Sequence, residues 1–477
     1  MKMPCLALLL AAAAPLLAHV GSPDVFYEGA AGPYRLLVTI RPPQVIPGVA
    51  EIEIRSATPC VESVKIAPLR LTAGSQFSPV PDLAKPSKED SQFFTGSLWL
   101  MSTGSWKVLV QVEGNAGRGE LAVPVPALST RVLAMQKTLA GVLIPLGLLL
   151  VFGLVAIVGA SVREAQLPPG ATPEPGRARR SRIVMAVTLA GICGLLYLGN
   201  SWWTAEAGDY SRILYKPLQV NATVHGNQLT LKLHDPGWLN RRMDDLIPDH
   251  GHLMHLYVLS LPHMDQAWHL HPERGEEADT FVQALPPMPA GRYALYGDIV
   301  HVSGLGETVT SRLDLPAIEG VKLSGDDAAS GPPIAPQAGY NPDVAELPGG
   351  YRMIWERGGA KIRAAQPYEF RFRLVDSRGT DVKDMELYMG MPGHAAFIKD
   401  DGSVFAHVHP SGSVPAAAIG LAMPENPHAM HMMQQGSPPA EVSFPYGLPK
   451  PGSYRIVVQM KHGGEIVTGL FNANVEN

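Results

Sequence analysis

Residues 368–374 read YEFRFRL, and apolar and charged side chains alternate over the whole stretch. Successive side chains of a β-strand point to opposite faces, so this alternation predicts a strand with one face in a core and one in solvent. The same period recurs in short runs bounded by Pro and Gly, at 34–40 (YRLLVTI), 50–54 (AEIEI), 229–233 (LTLKL) and 454–460 (YRIVVQM). Many short strands at even spacing are typical of β sandwiches, so the chain is predicted to be mainly β.

Two modules in the C-terminal half repeat one another. In each, a Gly-His dipeptide precedes a His-x-His-Pro motif, a Gly-x-Tyr turn and a last histidine eight residues beyond the tyrosine. The matched elements are Gly251-His252 with Gly393-His394, His269-Leu270-His271-Pro272 with His407-Val408-His409-Pro410, residues 290–293 (AGRY) with 451–454 (PGSY), and His301 with His462. Such a repeat predicts tandem copies of one sandwich unit. An N-terminal module shares only the turn and strand at 104–110 (GSWKVLV) and has Gly114 in place of the last histidine.

Two apolar runs separate the first module from the others. Residues 139–162 and 183–203 contain no charged side chain, and each run reaches the ~20 residues that a membrane-spanning helix needs. Trp202 and Trp203 end the second run, as expected for an aromatic belt at the membrane surface. The connecting loop, residues 163–182, has five arginines against two glutamates. By the positive-inside rule this loop is cytoplasmic, and the modules at 19–135, 210–316 and 340–477 lie on the other side.

The N-terminus predicts export. Lys2 precedes an apolar run at 6–17, and small residues lead to Ala18, so residues 1–18 are predicted to be a secretory signal peptide. Together with the loop charges, this places the protein in the inner membrane of a bacterium with its β modules in the periplasm. The net charge of −5 provides no basic surface, which excludes nucleic acid as a partner.

The positions of the histidines are more informative than their number. After His19 none occurs before His225, and the other fifteen fall in residues 225–477. The two histidines of each His-x-His-Pro motif share a face if the motif is a strand, so they can converge. Neutral imidazole suits copper, zinc and nickel. Two metal sites are therefore predicted, one from His252, His269, His271 and His301 and one from His394, His407, His409 and His462, with His255 as a further candidate ligand.

Methionines accompany these histidines. Five of them lie close in sequence: Met254, Met264, Met389, Met391 and Met460. A proline-flanked insertion in the third module also interleaves the two residue types, as His428, Met430, His431, Met432 and Met433. Thioether sulfur favours Cu(I), so this loop is a candidate collector of Cu(I). The alternative is a solvated loop of low complexity.

Signatures of catalysis are missing from the sequence. It has no GxSxG, HExxH, P-loop or GxGxxG followed by a helix, so the protein is predicted not to be an enzyme. One separate hypothesis is a copper enzyme built around His19, which cleavage after Ala18 would expose as the first residue. Its amine and ring could chelate copper, but the first module holds no second histidine to complete the site.

Residues 249–256 (DHGHLMHL) followed by HLHP at 269–272 resemble the YtkA-like extracytoplasmic domains, which are broadly similar to CopC-type copper carriers. The resemblance covers about 215–316 and 340–475, and the first module more faintly. It implies Ig-like or cupredoxin-like sandwiches and an association with copper. The expected function is a two-pass, membrane-anchored copper-binding protein for copper resistance, delivery or oxidase maturation.

The resemblance also shapes the expected partners and the alternatives. The expected partners are the lipid bilayer and an envelope protein that donates or receives copper. Zinc is the alternative metal. The alternative function is a metal-free Ig-like interaction protein of the cell envelope in which the histidines are structural.

Overall fold

A computed structural model describes residues 24–132, 135–168, 170–239, 241–332, 341–424 and 437–477. The predicted signal peptide, His19 and the His428, Met430, His431, Met432 and Met433 loop lie outside these residues. The prediction of a mainly β chain is confirmed. In the described part of the chain, six sheets are arranged in pairs, and each pair shares one hydrophobic core.

The first β unit precedes the apolar helices. Its strands are β1 (Val25–Ala31), β2 (Tyr34–Arg41), β3 (Gly48–Ser56), β4 (Val61–Arg70), β5 (Asp82–Leu83), β6 (Lys85–Pro86), β7 (Phe93–Leu100), β8 (Gly104–Gly114) and β9 (Gly117–Ala127), with a short 3₁₀ helix at Ser75–Phe77. One sheet has the order β1-β2-β3-β7-β6, and the other β5-β4-β8-β9. Tyr34, Val38, Ile66 and Val110 lie in the core between them.

The second β unit follows the apolar helices. Its strands are β10 (Gln219–His225), β11 (Gln228–His234), β12 (Leu246–Ile247), β13 (His255–Leu261), β14 (Ala267–Leu270), β15 (Glu273–Arg274), β16 (Thr280–Ala284), β17 (Gly291–His301), β18 (Gly306–Leu315) and β19 (Ala328–Ala329). The sheet orders are β10-β11-β16-β15 and β12-β17-β13-β14-β19, with β18 on β17. The unit extends beyond the predicted end at residue 316 because β19 pairs with β14.

The third β unit completes the chain. It contains β20 (Val344–Glu346), β21 (Arg352–Trp355), β22 (Ile362–Arg363), β23 (Tyr368–Val375), β24 (Met385–Glu386), β25 (His394–Lys399), β26 (Phe405–Val408), α3 (Ala416–Ala422), β27 (Glu441–Tyr446), β28 (Gly452–His462), β29 (Glu465–Glu476) and a 3₁₀ helix at Pro348–Gly350. The sheet orders are β20-β21-β23-β27 and β22-β29-β28-β25-β26, with β24 on β28. Phe370 and Phe372 of the alternating run are buried as predicted, whereas Glu369 and Arg371 face solvent.

Two long helices form a separate compact unit. They are α1 (Lys137–Glu164) and α2 (Pro175–Ile213), and both are long and apolar enough to cross a membrane. Ser181 Oγ donates to the Gly159 carbonyl at 2.7 Å, so the two helices are in contact. The helix α2 begins inside the predicted loop, because Pro175 is well suited to the first helical position, and it extends past residue 203. The connection between the helices is therefore shorter than predicted.

The first β unit contacts the segment that follows the second His-x-His-Pro motif. Glu28 N donates to Ser411 O at 2.7 Å, and Ser413 N donates to Phe26 O at 2.9 Å. The helix α3 then places Ile419 in the core of the first unit. Lys107 Nζ of β8 caps this helix by donating to the Ala422 carbonyl at 2.9 Å. The insertion of the third unit thus fixes the position of the first.

Replacing Ile419 with alanine is expected to lower the free energy of unfolding by about 2–4 kcal/mol, because the smaller side chain leaves a cavity in a closed core. Ile419 is 3% exposed. The matched control is Gly420→Ala, since Gly420 is exposed on the same helix and a Cβ there meets nothing within 4 Å. Thermal unfolding of the detergent-solubilised chain measures both. Equal midpoints for the two variants would contradict the docking of α3.

Candidate metal centre

Histidines of the second and third β units meet where these two units pack against each other. The contact is a shared apolar cluster that includes Tyr257 and Tyr296 from one unit and Ile398 and Phe405 from the other. The rings of Tyr296 and Phe405 stack at 4.6 Å. This packing brings together eight histidines, called the histidine cluster below: His250, His252, His255, His269, His271, His394, His407 and His409.

The two His-x-His-Pro motifs supply half of the cluster. His269 lies in β14 and His407 in β26, and each motif continues past the end of its strand. The two rings of the first motif, His269 and His271, have centroids 4.5 Å apart, and those of the second, His407 and His409, are 4.6 Å apart. The two histidines of each motif therefore lie close together, as predicted.

A tight turn carries two further histidines. In residues 249–252, the central residues His250 and Gly251 have φ of 49° and 89°, and Asp249 and His252 exchange backbone hydrogen bonds of 2.9 and 3.0 Å. Positive φ at both central positions is the type I′ geometry of short hairpins. A non-glycine residue in this region is unusual, and such residues concentrate at functional sites. The turn holds the His250 ring against the third unit, 5.1 Å from His394 between centroids.

The structure aligns the two repeats differently from the sequence comparison. His255 begins β13 and pairs with Asp298, and His394 begins β25 and pairs with Gln459. Both partners lie five residues beyond the tyrosine of the Gly-x-Tyr turn, so His255 is the counterpart of His394. The sequence comparison had matched His252 with His394, which is three residues away from the structural match. The error arose because both modules contain a Gly-His dipeptide, but at different points of the same loop.

The third unit has an equivalent type I′ turn. Met389 and Gly390 have φ of 50° and 79°, and Tyr388 and Met391 exchange backbone hydrogen bonds of 2.7 and 3.1 Å. Met391 is therefore the counterpart of His252. Three other methionines near the histidines in sequence, Met254, Met264 and Met460, are buried in apolar clusters, which gives them a packing role.

The first triad consists of His255, His269 and His271. One ring nitrogen of each lies within 4.8 Å of the others, and all three residues are buried. His255 Nδ1 and His269 Nε2 are 3.2 Å apart. All three ligand candidates come from the second unit.

Each ring of the first triad is hydrogen-bonded through its other nitrogen. The contacts are His255 Nε2 to Asp249 O at 2.9 Å, His269 Nδ1 to Gln459 Oε1 at 2.8 Å, and His271 Nδ1 to Asp327 Oδ1 at 3.0 Å. The amide of Gln459 is oriented by its own donation to Thr468 Oγ1 at 3.1 Å. These three oxygens are acceptors, so the nitrogen that faces each of them carries the proton. The Tyr388 hydroxyl also lies 3.3 Å from His269 Nδ1, but it donates its own proton to Asp326 O at 2.7 Å.

The protons on the outer nitrogens leave the inner ones bare. His255 Nδ1, His269 Nε2 and His271 Nε2 present lone pairs to one another, and His271 Nε2 is buried with no hydrogen-bond partner among the described residues. Two lone pairs at 3.2 Å repel unless a cation lies between them. Metal-binding histidines are usually oriented in this way, by a carboxylate or carbonyl on the second nitrogen. The first triad therefore has the form of a three-nitrogen metal site.

The second triad spans both units and consists of His250, His394 and His409. Ligand nitrogens of the three lie within 4.8 Å of one another. His250 is hydrogen-bonded to the backbone of Met389, and its Nε2 is buried without a hydrogen-bond partner in the described part of the chain, as are both nitrogens of His394. A buried polar group without a hydrogen bond costs about 1–3 kcal/mol, so three such atoms in one place point to a ligand.

Burial keeps the rings of the two triads neutral. Desolvation, followed by the proximity of the other imidazoles, holds the pKa of His255, His269, His394 and His409 well below the usual value. The pKa of His250 and His271 is also lowered by burial. Neutral imidazole is the form that binds a metal, so these rings are ready to bind without losing a proton.

His252 and His407 complete the cluster at its edge and centre. His252 Nε2 lies 3.1 Å from Asp326 Oδ2, its ring is 4.0 Å from that of His271, and its side chain is 29% exposed. His407 lies deeper, with its ring 5.1 Å from that of His255 and 5.4 Å from that of His394.

His301, predicted as a ligand, is held elsewhere. Its Nδ1 lies 2.7 Å from Asp245 Oδ1, and its Nε2 lies 3.0 Å from Glu307 Oε2. Burial disfavours the charged ring, but hydrogen bonds to Glu307 and Asp245 outweigh this and raise the pKa of His301. Two acceptors require two ring protons, and an imidazolium has no lone pair for a metal. The predicted four-histidine site of the second unit is therefore not the one that the structure assembles.

His462, the predicted fourth ligand of the third unit, is likewise outside the two triads. Its ring packs 4.4 Å from that of Tyr351, and its Nδ1 lies 3.8 Å from Asp384 Oδ1. The place predicted for it is taken by His250 of the second unit. That residue was not selected from the sequence, although HGH at 250–252 is itself a His-x-His pattern.

Comparison with known proteins adds a family match for one unit. A family model described as "Domain of unknown function (DUF8832)" matches residues 345–477, which span the third β unit almost entirely. That family has no assigned function. The comparison with curated proteins finds no match.

Solved structures match most of the chain at low similarity. The chain is 8% identical to a tetra-tandem repeat in the extending region of a large adhesion protein (90% of this chain, 71% of that one, TM-score 0.17). It is 9% identical to an ICAM-5 D1-D4 ectodomain fragment (92% and 77%, TM-score 0.15). It is also 9% identical to Escherichia coli alpha-2-macroglobulin (95% and 31%, TM-score 0.18). At these TM-scores the matches carry no argument about fold or function.

Proposed function

We propose that this chain is a membrane-anchored, extracytoplasmic copper-binding protein whose metal centre is the histidine cluster. The observation that carries the proposal is the first triad, in which three buried imidazoles turn bare nitrogens toward one another. Each of His255, His269 and His271 is fixed in the required tautomer by an acceptor on its other nitrogen. Histidines with a purely structural role would not be expected to adopt this arrangement, because lone pairs that face one another repel when no cation lies between them.

The chemistry of the ligands favours copper. An all-imidazole site binds divalent metals in the order that places Cu(II) above Zn(II). The resemblance of residues 249–256 and 269–272 to YtkA-like and CopC-type domains supports the same metal. Zinc is the second candidate, because three histidines with a free fourth position also suit it. Burial of the triad favours retention of the ion until a partner takes it.

The anchoring follows from α1 and α2. Five arginines in residues 163–182 favour a cytoplasmic connection between them, which puts all three β units outside the cytoplasm of a bacterial cell. In that compartment the partner of the protein is an envelope protein that donates or receives copper.

The proposal predicts that the full chain in detergent retains metal. The chain is loaded with Cu(I), Cu(II) or Zn(II), excess metal is removed by gel filtration, and bound metal per chain is measured. At least one copper per chain is expected to remain at micromolar protein. A chain that retains no metal of any of the three kinds would overturn the proposal in favour of a metal-free interaction protein.

A further inference from the structure

We propose that the two histidine triads form one dinuclear centre, in which a second metal ion is held across the boundary between the second and third β units. This rests on the proposed function for the first triad and extends it to a site with ligands from both units. His250 comes from the second unit, and His394 and His409 from the third. The second ion would therefore clamp the two units together.

The rings of the two triads lie close to each other. Within them, centroid distances run from 4.5 Å for His269–His271 to 5.4 Å for His255–His269. Between them, His250 and His255 are 6.2 Å apart, and His269 and His394 are 6.4 Å apart. An ion bound at about 2 Å from each nitrogen of its triad then lies on the order of 5 Å from its neighbour. That distance is short enough for a shared small ligand.

His407 links the triads. Its ring lies 5.1 Å from that of His255 in the first triad and 4.6 Å from that of His409 in the second. Its Nδ1 side faces Asp298 Oδ2 at 3.6 Å, and its Nε2 is buried with no hydrogen-bond partner among the residues that the structure describes. That nitrogen is available to either ion as an additional ligand.

The charges around the cluster match two ions. Four carboxylates contact its histidines: Asp249 at 3.9 Å from His250, Asp298 at 3.6 Å from His407, Asp326 at 3.1 Å from His252 and Asp327 at 3.0 Å from His271. The imidazoles of both triads are neutral and therefore do not balance the negative charges of these four carboxylates. Two divalent ions would supply four positive charges.

The test is the electron paramagnetic resonance spectrum of the full chain loaded with Cu(II). Two coppers per chain and the half-field transition of a coupled Cu(II) pair are expected. The spectrum of the wild-type chain is sufficient for this test, so the result does not depend on whether a variant folds. Two coppers with the spectra of isolated ions, or one copper per chain, would overturn the dinuclear centre and leave the proposed function standing. No retained copper would instead remove the proposed function itself.

Substitutions locate the two ions. His394→Gln is expected to remove one copper and the half-field signal, leaving the spectrum of a single ion in the first triad. His271→Gln is expected to give the reciprocal result, with one ion left in the second triad. His407→Ala is expected to change the spectra of both ions, because its ring contacts both triads. The exposed His234 on β11 provides the control, since His234→Gln should leave copper content and spectrum unchanged. Identical spectra for wild type and His394→Gln would contradict the assignment.

Discussion

Replacing His269 and His394 together with alanine is expected to reduce the copper retained by the purified chain at least about tenfold. Each triad loses one of its three imidazoles, and even the loss of an outer hydrogen-bond partner of a ligand costs about 10–100-fold in metal affinity. Both residues are fully buried, so the change acts at the centre of the cluster. Bound copper per chain after gel filtration measures the effect, and competition with a chelator of known affinity gives its size.

Two controls separate metal binding from general damage. His225→Ala with His234→Ala removes two exposed histidines of β10 and β11 and is expected to leave copper content unchanged. His301→Gln is also expected to retain copper, although it removes hydrogen bonds to Asp245 and Glu307. It is expected to destabilise the chain by about 1–3 kcal/mol, since Glu307 keeps its ion pair with Arg241 at 3.2 Å. Loss of copper in the folded His301→Gln variant would contradict the triad assignment and reinstate His301 as a ligand, as predicted from the sequence.

The sequence predicted what depends on local geometry. Alternation in residues 368–374 placed β23 with the correct side chains inside, because a strand has a fixed period of two. The same rule brought together the two histidines of each His-x-His-Pro motif. The long uncharged runs gave both apolar helices, although Pro175 extended the second toward its N-terminus.

Features that depend on contact between units were not predictable in this way. His250 joins His394 only because the two units pack through Tyr296 and Phe405, which are 109 residues apart in sequence, and no local pattern encodes that contact. His301 was selected because it recurs in both modules, but recurrence does not distinguish a ligand from an ion-pair partner. Its role depends on Asp245 and Glu307, whose approach only the fold decides.

Lowering the pH of the metal-free chain from 7 to 5 is expected to destabilise it by several kcal/mol. The folded-state pKa of His255, His269, His394 and His409 is well below the unfolded value of about 6.5, because burial disfavours the charged rings. Below pH 6.5 the unfolded chain thus binds more protons than the folded chain. The stabilisation is complete above that pH and declines as the pH falls toward the folded-state values. Each of these histidines contributes a slope of about 1.4 kcal/mol per pH unit.

Copper adds stability at every pH, which makes the loaded chain the natural comparison. Because these rings are already neutral in the metal-free folded chain, copper binding releases no proton, so the loaded chain is expected to have a higher urea midpoint at each pH and a similar decline toward low pH. His301 acts in the opposite sense, since its raised pKa gives stability that is present at low pH and lost as the pH rises through that value. His301 alone offsets only part of the destabilisation at low pH that the four buried histidines cause. Urea midpoints at pH 7, 6 and 5 measure the difference, with His255→Gln/His269→Gln expected to flatten the metal-free curve. A metal-free midpoint that stays constant over this range would show that the cluster is not the neutral, buried group of imidazoles on which copper binding depends.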